Sequence, residues 1–369
     1  MKSIYNNFNI RLCEDFLCGK NKRPLFGVMW EPTLLPPESL NIIGEKKTLK
    51  PDDIDEVELS VMAQNILKAS HEWRQDMPFS VQSGGGLQWM EAICGCEIVA
   101  ADDQIWAQSN NKEHLDLLIS GNISEMWMNK LFDCTQRLSE DLGKGWFNSV
   151  PVLHGPLDIL YAIMGGEEVV YCMYDEPELF NKAISAAASA FLRVSKKLAS
   201  ILKPVSGGYC SRMHIYTKKP CVTLQNDATY LTSPEMYKEF ILQSEKNIVT
   251  GLPQTVYHAH NSSFHILEEI SENNSTVLQI TVDTNGPPIK EQIEVYRRVK
   301  EKLPIVLSCW NFNDLERFME ELTPEGLSLT FIPAPDGCKI NSQGTFDEIL
   351  EWNERYDGYI KYWSGRNSM

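Results

Sequence analysis

The chain has 369 residues, 43% of them hydrophobic, which is ample for a large core. A formal net charge of −16 opposes nucleic acid and anionic membrane as partners, and also a highly anionic substrate unless the pocket is locally basic. Ten cysteines, at 13, 18, 94, 96, 134, 172, 210, 221, 309 and 338, form no regular framework and read as reduced thiols. The first residues lack a signal-peptide apolar core, and no apolar run approaches the ~20 residues of a membrane helix, so a cytoplasmic protein is expected.

A short helix is predicted over 7–19, with Phe8, Leu12, Phe16 and Leu17 on one side. Residues 24–30 form an apolar first strand ended by Glu31 and Pro32. Glu31 reads either as an active-site carboxylate or as a loop ion-pair partner. Residues 35–52 read as loop, 55–73 as helix and 79–82 as a second strand. Gly84, Gly85 and Gly86 then precede a helix; they suit a tight turn or an anion cradle, but no phosphate-binding fingerprint is complete. Cys94 and Cys96 have no second pair at metal-site spacing. A hairpin is expected over 97–108, a helix over 113–141 broken near Gly121, and a strand over 145–154 ending in His154-Gly155-Pro156. Helices follow over 157–164 and 177–202, the second rich in alanine for close packing.

Residues 207–216 contain Cys210 and His214, and a short β-like run over 221–224 ends at Gln225, Asn226 and Asp227. Ser233-Pro234-Glu235 opens a helix with a Ser N-cap and Pro in the first turn, running to about 250. Next comes Thr255-Val-Tyr-His-Ala-His260, a strand followed by turn residues and a helix from Phe264 to Ile270. If extension holds through 260, His258 and His260 face one space, because side chains two apart share a strand face. They are then half of a metal site; otherwise one is a hydrogen-bonded core residue and the other a capping neighbour. Beyond this point strand and helix alternate: strands over 276–283, 304–310 and 328–332, helices over 289–303, 313–322 and 346–356. The alternation implies a parallel sheet, and about eight strand candidates suffice to close a barrel, although a doubly wound sheet fits nearly as well. Nothing in the composition argues for a second domain, so one domain over 1–369 is expected.

Five stretches occur in the order found in one superfamily: His154-Gly-Pro156; Asp175-Glu-Pro177; Asp227 with Leu231 to Phe240; Tyr257-His-Ala-His260; and Leu278 to Pro288. Together they resemble the uroporphyrinogen decarboxylase superfamily, over roughly residues 8–357. The resemblance implies an α/β fold: a (β/α)8 TIM barrel with extra N-terminal helices and loop insertions, its pocket at the C-terminal ends of the strands. The decarboxylases carry an arginine-rich stretch after the first strand, whereas here no arginine lies between Arg23 and Arg74. The chain is more similar to the zinc-dependent corrinoid:thiol methyltransferase branch, of the coenzyme M type. That branch binds zinc through a His-x-Cys pair and a second cysteine about eighty residues later. Here His258 matches the histidine, His260 stands in place of the first cysteine, and Cys338 lies at about the right distance. A His₂Cys site suits zinc and leaves a position open for substrate.

The resemblance thus implies His258, His260 and Cys338 as zinc ligands, Glu31, Asp227 and Asp283 as catalytic residues, and Trp30, Gln225 and Tyr257 as substrate-binding residues. Each has a plainer reading. Cys338 would be a buried thiol in a turn, Asp283 a helix cap, and Trp30 and Tyr257 core aromatics; Cys309 is a weaker alternative ligand, better suited to the core. The implied reaction moves a methyl group between a corrinoid, carried on a separate partner protein, and a small thiol. Two alternatives stay open: a metal-free enzyme acting on a tetrapyrrole or small carboxylic acid, and a non-catalytic binding subunit. A homodimer is compatible with the sequence.

Overall fold

The computed structural model describes residues 8–29, 46–101, 104–108, 112–333 and 347–366. Its frame is a set of parallel strands: β1 (Leu25–Val28), β2 (Ser80–Val81), β3 (Phe147–Asn148), β4 (Cys221–Gln225), β5 (Gln254–His260), β6 (Val277–Val282), β7 (Ile305–Cys309) and β8 (Leu327–Phe331). Six of them form one parallel sheet in the order β1-β8-β7-β6-β5-β4. β2 and β3 pair with each other, and His154, just downstream of β3, makes an isolated parallel bridge to Gln225 of β4. The fold is therefore α/β with a six-stranded parallel sheet. Ladder pairing among the described residues does not close the ring that a barrel requires.

These strands are buried on both faces, as parallel strands covered by crossover helices must be. Alternation sorts their side chains. Leu224, Tyr257, Ala259, Leu278, Ile280, Leu307 and Leu329 join the large core shared with the helices. The opposite face begins apolar at the N-terminal end, where Leu25, Cys221, Val256, Val277 and Val306 pack with Met77, Phe147 and the helix Ile10–Leu17. Further along it turns polar: Thr223, His258, Gln279, Ser308 and Thr330, all buried. The ionisable groups lie at its C-terminal end. This gradient is why a parallel α/β sheet places chemistry at the carboxyl ends of its strands.

The chain-order expectations hold for most elements, with boundary shifts. The 79–82 strand shrinks to β2 and the 145–154 strand to β3 plus the His154 bridge. The expected break near Gly121 is real: helices Lys112–Ile119 and Glu125–Leu142 flank a glycine at φ +78°. The 97–108 hairpin forms and gains a third strand, Lys47–Leu49, from the expected loop. A helix over Gly166–Asp175 was not foreseen, and the final helix runs Asp347–Arg366, ten residues past its expected end. Ser233 caps its helix as expected, its side chain accepting from Met236 N, but one turn, Tyr237–Ile241, is a π-helix. Among the described residues no helix is long and apolar enough to cross a membrane.

Candidate functional site

β5 stays extended through His260, so His258 and His260 do face one space. Their rings meet edge to face, centroids 4.9 Å apart, with Nε2 of one 3.2 Å from Nε2 of the other. The outer nitrogen of each ring is engaged. His258 Nδ1 meets Gln279 Oε1 on the neighbouring strand. The Gln279 amide nitrogen donates to Ser308 Oγ at 2.8 Å, which leaves Oε1 as acceptor and puts the hydrogen on His258 Nδ1. His260 Nδ1 donates to Asp283 Oδ2 at 2.7 Å. Both Nε2 atoms of the neutral rings therefore carry lone pairs, and these point at each other. Only a proton or a cation between them relieves that repulsion.

The two rings titrate accordingly. Burial pushes His258 down to about 3, against the charge of Asp227. Burial opposes protonation of His260 too, but the hydrogen bond to Asp283 and the charge of Asp227 outweigh it and raise its pKa. Asp227 completes the group: a ligand atom from each of Asp227, His258 and His260 lies within 4.8 Å of the others. Asp227 Oδ1 is 4.0 Å from His260 Nε2 and has no hydrogen-bond partner, while Oδ2 accepts from Gln225 Nε2 at 2.6 Å. Burial works against ionisation of Asp227, and the imidazoles of His258, His260 and His154 outweigh it, holding its carboxyl below the usual range.

Two imidazoles and a carboxylate, each histidine backed by an oxygen acceptor, are the donor set and support that zinc sites use. The residues present fit a divalent metal. Asp227, expected as a catalytic group, sits at the histidine pair and offers the third ligand atom. Cys338, Glu31 and Trp30 lie outside the described residues. Cys309 is buried in the helix-facing core, and burial pushes its thiol well above the ordinary value.

The other expected site residues are placed as follows. Gln225 is buried between two partners, accepting from Arg212 at 2.7 Å and donating to Asp227. Asp283 holds His260 and does not cap the next helix, which begins at Ile289 after Pro288. Tyr257, expected on the pocket wall, is fully buried on the other face of β5, its hydroxyl 2.8 Å from Glu245 Oε1; odd positions of this strand face the helices.

Beside Asp227 opens a cavity of about 570 Å³, lined among others by Glu91, His154, Asp158, Tyr161 and Tyr230. Asp158 accepts from the backbone N–H groups of Asp227 and Ala228, at 2.9 and 2.7 Å, and so positions the Asp227 turn. Burial and the charge of Asp227 push Asp158 up to about 8. The sequence reading missed Glu91 and Asp158 and used His154 only as part of a motif. A histidine closing a strand just before Gly-Pro was the available signal. Gly155 is required there: its N–H donates to Gln225 O at 2.5 Å, and a Cβ would collide with Asn226 and that carbonyl.

His154 Nδ1 pairs with Glu91 Oε1. Burial opposes protonation, but the charge of Glu91 and its hydrogen bond prevail, raising His154 from 6.5 to about 10. A folded-state pKa above the unfolded value stabilises the fold fully below pH 6.5, and that contribution is lost as pH rises towards 10. Over this window the pair contributes a downward slope approaching ~1.4 kcal/mol per pH unit. Glu91→Gln is expected to flatten that part of the stability–pH curve and to bring the His154 NMR titration back towards neutrality. Equal slopes for the two proteins in denaturant unfolding would refute the ion pair.

No family model matches this chain, and no curated protein does. Among solved structures, a methyltransferase from Methanosarcina mazei is similar, with a TM-score of 0.63 and 12% identity over 96% of this chain and 99% of that one. A GH26 beta-mannanase from Bacteroides ovatus aligns at a TM-score of 0.34, with 14% identity over 91% and 87% of the two chains. The second overlap is too loose to define a shared fold; the first places this chain in the same fold as the methyltransferase over nearly its whole length.

Proposed function

We propose that this protein is a zinc-dependent methyltransferase that moves a methyl group between a corrinoid on a partner protein and a small thiol. The observation that carries the reading is the pair of Nε2 atoms facing each other at 3.2 Å beside the unpartnered Oδ1 of Asp227. The shared fold with a methyltransferase supports it, as does the superfamily resemblance. In this reading the chain is one domain, and β1 to β8 close into a (β/α)8 barrel, with His154 continuing the third strand against β4.

His258, His260 and Asp227 would hold the metal, with Cys338 as a further ligand and Glu31 as the proton acceptor. When bound, zinc lowers the pKa of a coordinated thiol and supplies a thiolate at neutral pH. Gln279 and Asp283 keep the imidazoles in the tautomer that turns Nε2 inward. Gln225, held by Arg212, keeps one Asp227 oxygen engaged and leaves the other free. Asp158 fixes the backbone from which Asp227 projects. A methylated corrinoid on the partner would supply an electrophilic methyl group, and the thiolate held at His258, His260 and Asp227 would be the nucleophile that takes it.

The test is single-turnover transfer from free methylcobalamin to a panel of small thiols, with thioether detected by mass spectrometry. Thioether formation that chelation abolishes and zinc restores is expected. Zinc-free protein that transfers at the same rate, or zinc protein that transfers to no thiol while binding tetrapyrroles, would overturn the reading.

A further inference from the structure

His154 and Glu91 form a pair that the proposed chemistry does not use. His154 stands just past β3, bridged to Gln225 of β4, and lines the same cavity as Asp227. Its Nδ1 meets Glu91 Oε1, and the imidazole has no other hydrogen-bond partner among the described residues. The side chain is 23% exposed, and its unpartnered Nε2 is not closed off, so that nitrogen is open to the cavity. Glu91 behind it is buried, and its Oε2 has no hydrogen-bond partner. Elsewhere the molecule satisfies a buried carboxylate fully: Glu245 accepts from four side chains. Leaving a buried carboxylate oxygen without a donor is unfavourable, and such an exception calls for a functional reason. The one interaction that Glu91 makes fixes the direction of an imidazole and puts a hydrogen on its Nδ1. The same pairing keeps His154 charged near neutrality, so Nε2 also carries a hydrogen.

We propose that His154 determines specificity in this cavity: its Nε2–H binds an oxygen acceptor on the substrate, and Glu91 is the residue that positions it. The proposal rests on the reading that the adjoining histidine pair holds the reacting thiol. A thiol held at His258, His260 and Asp227 extends its remaining atoms into the cavity of about 570 Å³, a volume in the range of small-ligand sites. Glu91, Asp158 and Asp227 line it as acceptors, and both Asp158 oxygens are taken by backbone N–H groups. His154 is the charged donor among the described residues that line it. A donor held from behind in one direction discriminates an oxygen from a methylene. The methylene displaces the water on the N–H and offers no hydrogen bond in return.

The test compares two uncharged thiols that differ at one position, 2-methoxyethanethiol and butane-1-thiol. The ether oxygen accepts a hydrogen bond and donates none, and a methylene replaces it in the second. In calorimetric titration of the zinc-loaded full chain, the ether thiol is expected to bind about ten- to hundredfold more tightly. His154→Leu should erase that ratio. His154→Gln, which keeps an N–H donor, should retain part of it, and Glu91→Gln should reduce it. In zinc-free protein with ¹⁵N-labelled histidine, the His154 Nε2 resonance should move with the ether thiol and stay in place with butane-1-thiol. Equal affinities in the unmodified protein, an unchanged ratio in His154→Leu, or an Nε2 resonance indifferent to the ether would overturn the proposal. Discrimination that persists in a protein transferring no methyl group leaves the assignment of His154 standing and removes the methyltransferase reading. Methyl transfer to both thiols alike, with equal affinities, leaves that reading standing and removes the assignment.

Discussion

His258→Ala should abolish stoichiometric zinc binding, and this is the largest effect expected on the site. The substitution removes one of two lone pairs that converge within 3.2 Å and leaves His260 with Asp227 alone among the described donors. Asp283→Leu and Gln279→Leu test the support behind the rings. Neither removes a ligand, but each releases the Nδ1 hydrogen bond that fixes an imidazole tautomer. Each should weaken zinc by about 10- to 100-fold. Metal content by elemental analysis, on protein without a polyhistidine tag, and competition with a chromophoric chelator give both quantities. Cys338→Ser belongs in the same series, since loss of zinc there would add that thiol to the ligand set. Zinc retained at full stoichiometry in His258→Ala would sink the centre.

Glu245→Leu is expected to give the largest loss of stability. Glu245 is fully buried and accepts from four side chains: Asn226 Nδ2 at 2.7 Å, Tyr257 Oη at 2.8 Å, Asn273 Nδ2 at 3.2 Å and Tyr237 Oη. Burial pushes its carboxyl up, and the four donors pull it back. Removing the acceptor strands four buried donors, at a cost of ~3–5 kcal/mol by comparison with broken buried charge networks. Tyr257→Phe removes a single donor and should cost only ~1–2 kcal/mol. Urea unfolding followed by circular dichroism measures both, and equal losses for the two variants would contradict the network. The network also bears on the site. Asn226 precedes Asp227 and Tyr257 precedes His258, so Glu245 holds the neighbour of one proposed ligand just past β4 and of another on β5. Glu245→Leu should therefore weaken zinc as well, whereas a destabilising change remote from this network should not.

Local pattern made several features of the fold legible. Alternating strands and helices after residue 254 specified a parallel sheet, because runs such as Val-Leu-Gln-Ile-Thr-Val at 277–282 are too short for core helices and rich in β-branched residues. The ends of β2 and β3 were not legible, since pairing depends on partners far away in sequence. The helix Gly166–Asp175 was hidden because its start is a glycine pair with no polar cap, and it is held by packing on its neighbours. The final helix ran past its expected end because Tyr359 and Trp363 bury against the core, a stabilisation that local propensity does not express.

The sequence by itself determined that His258 and His260 share a face wherever the strand stays extended, since period-two alternation is a property of the backbone; the structure supplied the extension through His260. The sequence also determined the acidic charge of the chain and the absence of an arginine cluster after the first strand. Only the tertiary structure decided what meets those imidazoles. Asp227 comes from the turn after one neighbouring strand, thirty-one residues before His258, Gln279 from the neighbouring strand on the other side, and Asp283 from the residue that follows it. Glu91 and His154 lie 63 residues apart and meet only because a short helix and a strand end converge on one cavity. Which donors converge is set by strand register and by the polarity gradient across the sheet, which are properties of the assembled strands.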